Sequence, residues 1–384
     1  MIEQILQTLV QVKSDLGILA LTPGNVAMIG VGFLMLYLAV FKHIEPYELL
    51  PIGMGAILIN LPLHQAGALP QGGIQDAGLL GIVFYYMVYT YNILPPLIFL
   101  GLGALTDFGA LISNPRTIIL GGAAQIGIFI AFLGALWLGF DLREAAAIGI
   151  IGGADGPTTI YLNAILAPHL LGICAVTGYS YISLVPFIQP PIMRLLTTKE
   201  ERKIRMTQLR HVSRRAKIIF PVIVMVTSIL LVPESAPLVS VFMIGNLFRE
   251  AGVVERLNKS TQNEILNIAT IFLMLCVGLT LKAETVFQLK TFKILTLGLI
   301  AFSFGTAGGI LLAKFMNLFS KHKINPLIGA AGVSAVPIAA RVAQEVAYRE
   351  DPENHLLMHA MGPNVAGVIG SAIVAGYFLS VIPG

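Results

Sequence analysis

One carboxylate stands alone in a long apolar stretch. Between Ala145 and Met193 the only acidic residue is Asp155, set in Gly152-Gly153-Ala154-Asp155-Gly156-Pro157-Thr158. A carboxylate at the centre of a membrane helix costs about 2.5–3.5 kcal/mol on insertion scales, so it is kept where an ion, a proton or a partner group compensates it. Gly156 and Pro157 are expected to unwind the helix there and free carbonyl oxygens, which a hard cation such as sodium needs beside one carboxylate. A structural reading is compatible with this: Asp before Gly-Pro is good cap chemistry for a helix that begins at Pro157.

Neutral oxygens follow in the second half. Asn325, Ser334 and Asn364 fall on or beside apolar segments interrupted at Asn325-Pro326 and Gly362-Pro363. Amide and hydroxyl oxygens suit an alkali or alkaline-earth ion, and the sequence has no cluster of His or Cys to select a transition metal. Taken singly, each is better read as a polar residue packing one helix on another; their concentration at Gly/Pro breaks favours the ligand reading. Arg341, at the end of Ser334-Ala335-Val336-Pro337-Ile338-Ala339-Ala340-Arg341, either snorkels to the interface or receives an anion. Tyr179 and Tyr181 are either interfacial belt aromatics or hydroxyl donors to an ion or a proton path. His355 and His359 have the spacing of a helical metal pair but lack the glutamate of His-Glu-x-x-His.

The elements that must position these groups are membrane helices. Of 384 residues, 56% are hydrophobic and 11% charged, with a mean hydropathy of +0.83, which excludes a soluble globular class carrying about 25% charge. Apolar runs predict spans near 18–41, 47–63, 78–106, 117–138, 144–167, 170–193, 217–232, 236–249, 265–281, 292–313, 324–345 and 356–381, each able to approach the roughly 20 residues a crossing needs. Breaks are expected at Leu94-Pro95-Pro96, Gly156-Pro157, Gln189-Pro190-Pro191, Asn325-Pro326 and Gly362-Pro363, where a protein-lined or watery surround must satisfy freed backbone groups.

The order of features repeats. Ser113-Asn114-Pro115 precedes Gly121-Gly122-Ala123-Ala124 and leads to Asp155-Gly156-Pro157, while Ile324-Asn325-Pro326 precedes Gly329-Ala330-Ala331-Gly332 and leads to Gly362-Pro363-Asn364. Paired interrupted helices are the sequence signature of repeat-built transporters, with the site at mid-membrane. The expected architecture is an all-α polytopic membrane protein with about 11 transmembrane helices, broken or re-entrant helices, and two inverted repeats forming core and scaffold domains. Residues 1–16 read as an amphipathic lead-in without a cleavable signal, 17–193 as the first repeat with the Asp155 break, and 218–384 as the second with breaks at Asn325 and Asn364. Between them, 194–217 holds nine of the 24 Lys and Arg residues and is expected on the cytoplasmic side. Nucleic acid is not an expected partner, because this basic run links two spans and lacks interleaved aromatics. Cys174 and Cys276 sit unpaired in apolar spans and read as packing residues.

Four segments carry a family resemblance: Gly152 to Thr158, Tyr181-Ile182-Ser183-Leu184-Val185-Pro186-Phe187-Ile188-Gln189-Pro190-Pro191, Asn325 through Arg341, and Leu357-Met358-His359-Ala360-Met361-Gly362-Pro363-Asn364-Val365-Ala366-Gly367-Val368-Ile369-Gly370-Ser371. They resemble the beta subunit of the biotin-dependent, sodium-pumping decarboxylases of oxaloacetate, methylmalonyl-CoA, glutaconyl-CoA and malonate type, from about Pro46 to the C-terminus. The resemblance implies a carboxybiotin decarboxylase subunit of a primary sodium pump, consuming a proton while sodium moves outward. It implies Asp155, Asn325, Gly329, Ser334 and Asn364 as sodium positions, Asp155, Tyr181, Ser334 and Arg341 as catalytic ones, and Arg341 as the contact for the carboxybiotin anion. Sodium, and biotin carried covalently on a partner, are the implied cofactors. The implied partners are a biotin carrier and carboxyltransferase subunit, a small single-span subunit of gamma or delta type, membrane lipid and further copies of this chain as a trimer, in a bacterial cytoplasmic (inner) membrane. The alternatives are a sodium-coupled secondary carboxylate transporter and a cation/proton exchanger.

Overall fold

The computed structural model describes residues 21–62, 78–320 and 322–382, and among these all regular structure is helical. The expected lead-in at 1–16 lies outside the described residues. Among the described residues, six helices are long and apolar enough to cross a membrane: Pro23–Lys42, Thr117–Trp137, Pro168–Leu196, Glu255–Leu279, Leu289–Phe319 and Leu357–Val381. The interrupted pair Leu79–Thr90 and Leu94–Leu105 makes a candidate seventh. At 1.5 Å per residue the 31-residue helix Leu289–Phe319 is about 46 Å long, more than a bilayer's hydrocarbon thickness of about 30 Å. Large apolar side chains stay exposed on such helices, Trp137 at 86% and Leu195 at 84%, as a lipid-facing surface requires.

The chain divides into two compact units, one built on residues up to Asn92 with Thr270–Thr291, the other on Ile93–Ala269 with Phe292–Gly384. Each unit therefore draws on chain from both sides of the basic loop. In the first, Pro23–Lys42 starts at a capping box between Thr22 and Asn25 and ends one turn before Pro46–Asn60 begins. A Cβ on Gly55 would sit 2.5 Å from the Leu275 carbonyl oxygen, so only glycine permits that crossing. Asn60 closes the unit by donating to the Leu281 carbonyl (2.7 Å) and accepting from the Ala283 N–H (3.1 Å).

The larger unit contains every residue singled out above for chemistry. Its interior is built from fully buried Phe99, Phe242, Phe302 and Phe378 and a dense set of alanines. Expected breaks resolve in two ways. At Gln189-Pro190-Pro191 and Gly362-Pro363 the helices Leu171–Leu196 and Leu357–Val381 run on, correcting the expected interruptions. Proline's fixed φ fits a helix, and the lost bonds are tolerated where packing holds both sides: Val185 and Met193 are fully buried, and Gln189 donates to the Ala330 carbonyl (3.0 Å). The expected breaks before Leu94-Pro95-Pro96 and at Asn325-Pro326 do occur, at 91–93 and 322–326, and further interruptions fall at 150–155 and 331–337, where regular helix gives way.

The basic segment is narrower and better anchored than a solvated loop. Arg194 to Leu196 ends one helix, Lys199–Arg202 is a capped turn, and the next helix begins at Arg214. Buried Arg202 pairs with Glu350 (2.9 Å) and donates to the Thr197 carbonyl (2.6 Å), while Arg205 pairs with Asp351 (2.7 Å) and Glu353 (2.8 Å).

Candidate functional site

The chain leaves regular α-helix at Gly149, makes a 3-10 turn over Ile150–Gly153 and turns at Ala154 in the left-handed region (φ 58°). The break thus precedes Asp155, and Gly156-Pro157 open the next helix, Gly156–Leu166, instead of unwinding the previous one. An alanine in that region is costly by roughly 1–2 kcal/mol, and it sets the approach that makes Asp155 the N-cap. The Asp155 carboxylate, 6% exposed, accepts from the Thr158 N–H (3.4 Å) through Oδ1, and its Oδ2 lies 2.8 Å from both the Thr158 and Ser371 hydroxyls. No Lys, Arg or His among the described residues pairs with it. Hydroxyls and one amide distribute the negative charge without neutralising it. The Tyr179 ring lies over Gly156, where a Cβ would come within 2.2 Å of the phenol carbon.

The second interruption meets the first through the backbone: the Ser334 N–H donates to the Gly153 carbonyl at 3.1 Å. Asn364, fully buried on the C-terminal helix, points its amide nitrogen at the carbonyls of Ala331 (2.9 Å) and Val333 (2.7 Å). Those carbonyls require a donor, which fixes the orientation of the side chain and leaves Oδ1 as the spare atom. Asn364 Oδ1, Ser334 Oγ and Gln125 Oε1 are all buried without a hydrogen-bond partner among the described residues. Buried acceptors left in this state cost about 1–3 kcal/mol each, so these three oxygens are available to an ion or a water. Their placement is mutual: a Cβ on Gly367 would stand 3.0 Å from Ser334 Oγ, and one on Gly153 would stand 3.0 Å from Ser371 Cβ and 3.6 Å from Gln125 Oε1. Gln125 interrupts Thr117–Ala124 and Ile126–Trp137, and its amide nitrogen reaches the Gly121 (3.2 Å) and Gly367 (3.3 Å) carbonyls.

The other residues named from sequence lie around this centre. Tyr181 packs its ring on Phe302 (6.0 Å), shares a buried cluster with Ala154 and Val333, and donates its hydroxyl to the Leu295 carbonyl. Arg341 is exposed on Ile338–Tyr348, the helix that follows Pro337, and pairs with no described carboxylate. Asn325 spends its side chain on backbone: Nδ2 donates to the Arg202 and Ile204 carbonyls (2.9 Å each) and Oδ1 accepts from the Leu327 N–H (3.0 Å). Gly329 crosses Gly309 so closely that a Cβ would lie 2.1 Å from the Gly309 oxygen. Gln125, Thr158 and Ser371 were not singled out from the sequence. Thr158 and Ser371 stand inside the resembling segments, and Gln125 is the sole carboxamide in the charge-free run from Thr117 to Phe140.

Residues 24–382 match the family described as the Na+-transporting oxaloacetate decarboxylase beta subunit. The chain belongs to this family. It is 54% identical to the glutaconyl-CoA decarboxylase subunit beta of Acidaminococcus fermentans, over 98% of each chain. It is likewise 54% identical to the methylmalonyl-CoA decarboxylase subunit beta of Veillonella parvula, over 97% of this chain and 96% of the relative. The oxaloacetate decarboxylase beta chain of Klebsiella pneumoniae is 52% identical over 96% and 97%. One buried carboxylate and uncharged oxygens are ligand types that suit a hard cation. Among the described residues no group of three or more His, Cys, Asp or Glu could hold a metal.

Proposed function

We propose that this chain is the membrane subunit of a sodium-pumping decarboxylase, which couples decarboxylation of carboxybiotin on a partner to outward movement of sodium. The observation that carries this is the buried Asp155 carboxylate with no cationic partner among the described residues, at an interruption bonded through Gly153 to Ser334, whose hydroxyl oxygen, like the amide oxygens of Asn364 and Gln125, is buried and unpartnered. Sodium, as the cargo, is held by ionised Asp155 and these oxygens, with Asn325 and Gly329 framing the second interrupted segment. When sodium leaves, a proton takes its place on Asp155, so the buried charge is never left uncompensated. Thr158 and Ser371 keep Oδ2 oriented in both states, and Tyr181 and Ser334 lie along the proton's route. The exposed, unpaired Arg341 guanidinium fits a carboxylate. Biotin on its carrier supplies a carboxylated ureido nitrogen, which releases CO2 and takes up one proton.

The reading includes partner subunits: a biotin carrier with a carboxyltransferase, and a small single-span subunit of gamma or delta type. It also includes a trimer of this chain in the bacterial inner membrane, the basic loop facing the cytoplasm by its charge, and about 11 spans arranged as two inverted repeats that form core and scaffold. Family membership does not favour a secondary carboxylate transporter or a cation/proton exchanger. The test is Asp155→Asn, reconstituted in liposomes with its partner subunits. Sodium-stimulated decarboxylation and sodium uptake should disappear together; a variant that retains both overturns the proposal.

A further inference from the structure

A cavity of about 530 Å³ opens beside the basic segment, bounded by 113–116, 204–210 and 322–324. Volumes of roughly 300–1,000 Å³ are those of small-molecule sites. Arg116, Arg205, Arg210, His322, Lys323 and His359 line it, and no acidic side chain does. The six differ in availability. Arg205 is held by Asp351 and Glu353, and Arg210 donates to the Ile112 (2.9 Å) and Ser113 (3.1 Å) carbonyls. Arg116 and Lys323 are exposed, with no ion pair or side-chain hydrogen bond among the described residues. His359 is the buried member, 8% exposed, and its Nδ1 has no hydrogen-bond partner among the described residues. Two free cations therefore face one space, with the buried His359 side chain in its wall.

Ile204 and Met206 add an apolar wall, and the lining holds no Phe, Tyr or Trp on which a nucleobase could stack. That combination fits an anion with a compact apolar body. We propose that the cavity binds a carboxylate-bearing ligand, with Arg116 and Lys323 holding the charge. Resting on the function proposed above, the ligand is the carboxylated ureido ring brought by the biotin carrier. Arg341 is not part of this lining, so the cavity captures the anion separately from the contact at Arg341. A free carboxylate from the surrounding solution has the same chemistry, and the test separates the two sources.

Decarboxylation of free carboxybiotin is measured with the complete complex carrying Arg116→Gln, Lys323→Gln or both, with Arg215→Gln as a control for an exposed charge outside the cavity. Loss of one charge-assisted contact is expected to raise KM about tenfold while kcat stays within about twofold; Arg215→Gln should match the wild type. In parallel, malonate is titrated calorimetrically against the full chain and the double variant. An unchanged KM with malonate binding lost in the double variant keeps the anion site and overturns carboxybiotin as its ligand. A double variant equal to the wild type in both measurements overturns the proposal. If the wild-type complex leaves carboxybiotin intact, the function proposed above fails, and the malonate titration still decides the cavity.

Discussion

The two interrupted segments that meet at Gly153 and Ser334 solve opposite problems. The first carries the charge and is provided with donors: Thr158 comes from its own helix and Ser371 from across the fold. The second carries no charge, yet its Ser334 hydroxyl and the Asn364 oxygen beside it have no partner. Charge is thus fixed on one arm and spare coordinating capacity on the other. A buried carboxylate needs orientation in every state of the site, whereas ligand oxygens must be free for the cargo.

The largest effect should come from erasing the charged arm. Asp155→Asn keeps the cap's shape and removes the charge, and sodium-dependent turnover should fall at least about 100-fold, equivalent to about 3 kcal/mol. Erasing capacity on the other arm is milder. Ser334→Ala removes an oxygen with no partner to strand, and the sodium concentration for half-maximal activity should rise about tenfold with stability unchanged; an unchanged sodium dependence would detach Ser334 from the site. Asn325→Ala should invert that pattern. It strands the buried Leu327 N–H and leaves the Arg202 and Ile204 carbonyls to Asn354 alone, so thermal unfolding should show a loss of about 2 kcal/mol, with a sodium dependence closer to wild type than that of Ser334→Ala.

The smallest effect lies at the rim. Hydrogen bonds from Arg205 hold the Asp351 carboxyl below its ordinary value of 3.8. Because the folded-state value is depressed, the stabilisation is complete above 3.8 and is lost as pH falls through the lower folded value. Pepsin cleavage within 203–212 should therefore begin only below about pH 3.8, whereas Asp351→Asn should show it at pH 5.

Asp155 was legible because a lone acid among apolar residues is rare on energetic grounds. Its partners were not equally legible. Ser371 lies 216 positions away, and a neutral serine or glutamine on an apolar helix has the same signature whether it packs or binds. Only the folded structure shows that Gln125 and Asn364 each commit their amide nitrogen and leave the oxygen. Glycine and proline were over-read in a specific way. Gly362-Pro363 and Gln189-Pro190-Pro191 remain helical because packing on each side compensates the missing bonds, while the true turn before Asp155 falls on Ala154, a residue whose identity gives no warning of φ 58°. The helical class followed from composition, and the apolar runs marked the elements. The division into compact units did not follow, because each unit combines segments distant in sequence.

The hydrogen bond from the Ser334 N–H to the Gly153 carbonyl has a bearing on leakage. Being a backbone contact, it does not depend on side-chain identity, and it ties the two interrupted segments together there by about 1 kcal/mol. A pump loses efficiency when its gates slip independently. On the function proposed above, this contact favours joint movement of the two segments, so that the buried Asp155 and the Ser334 side change their access together.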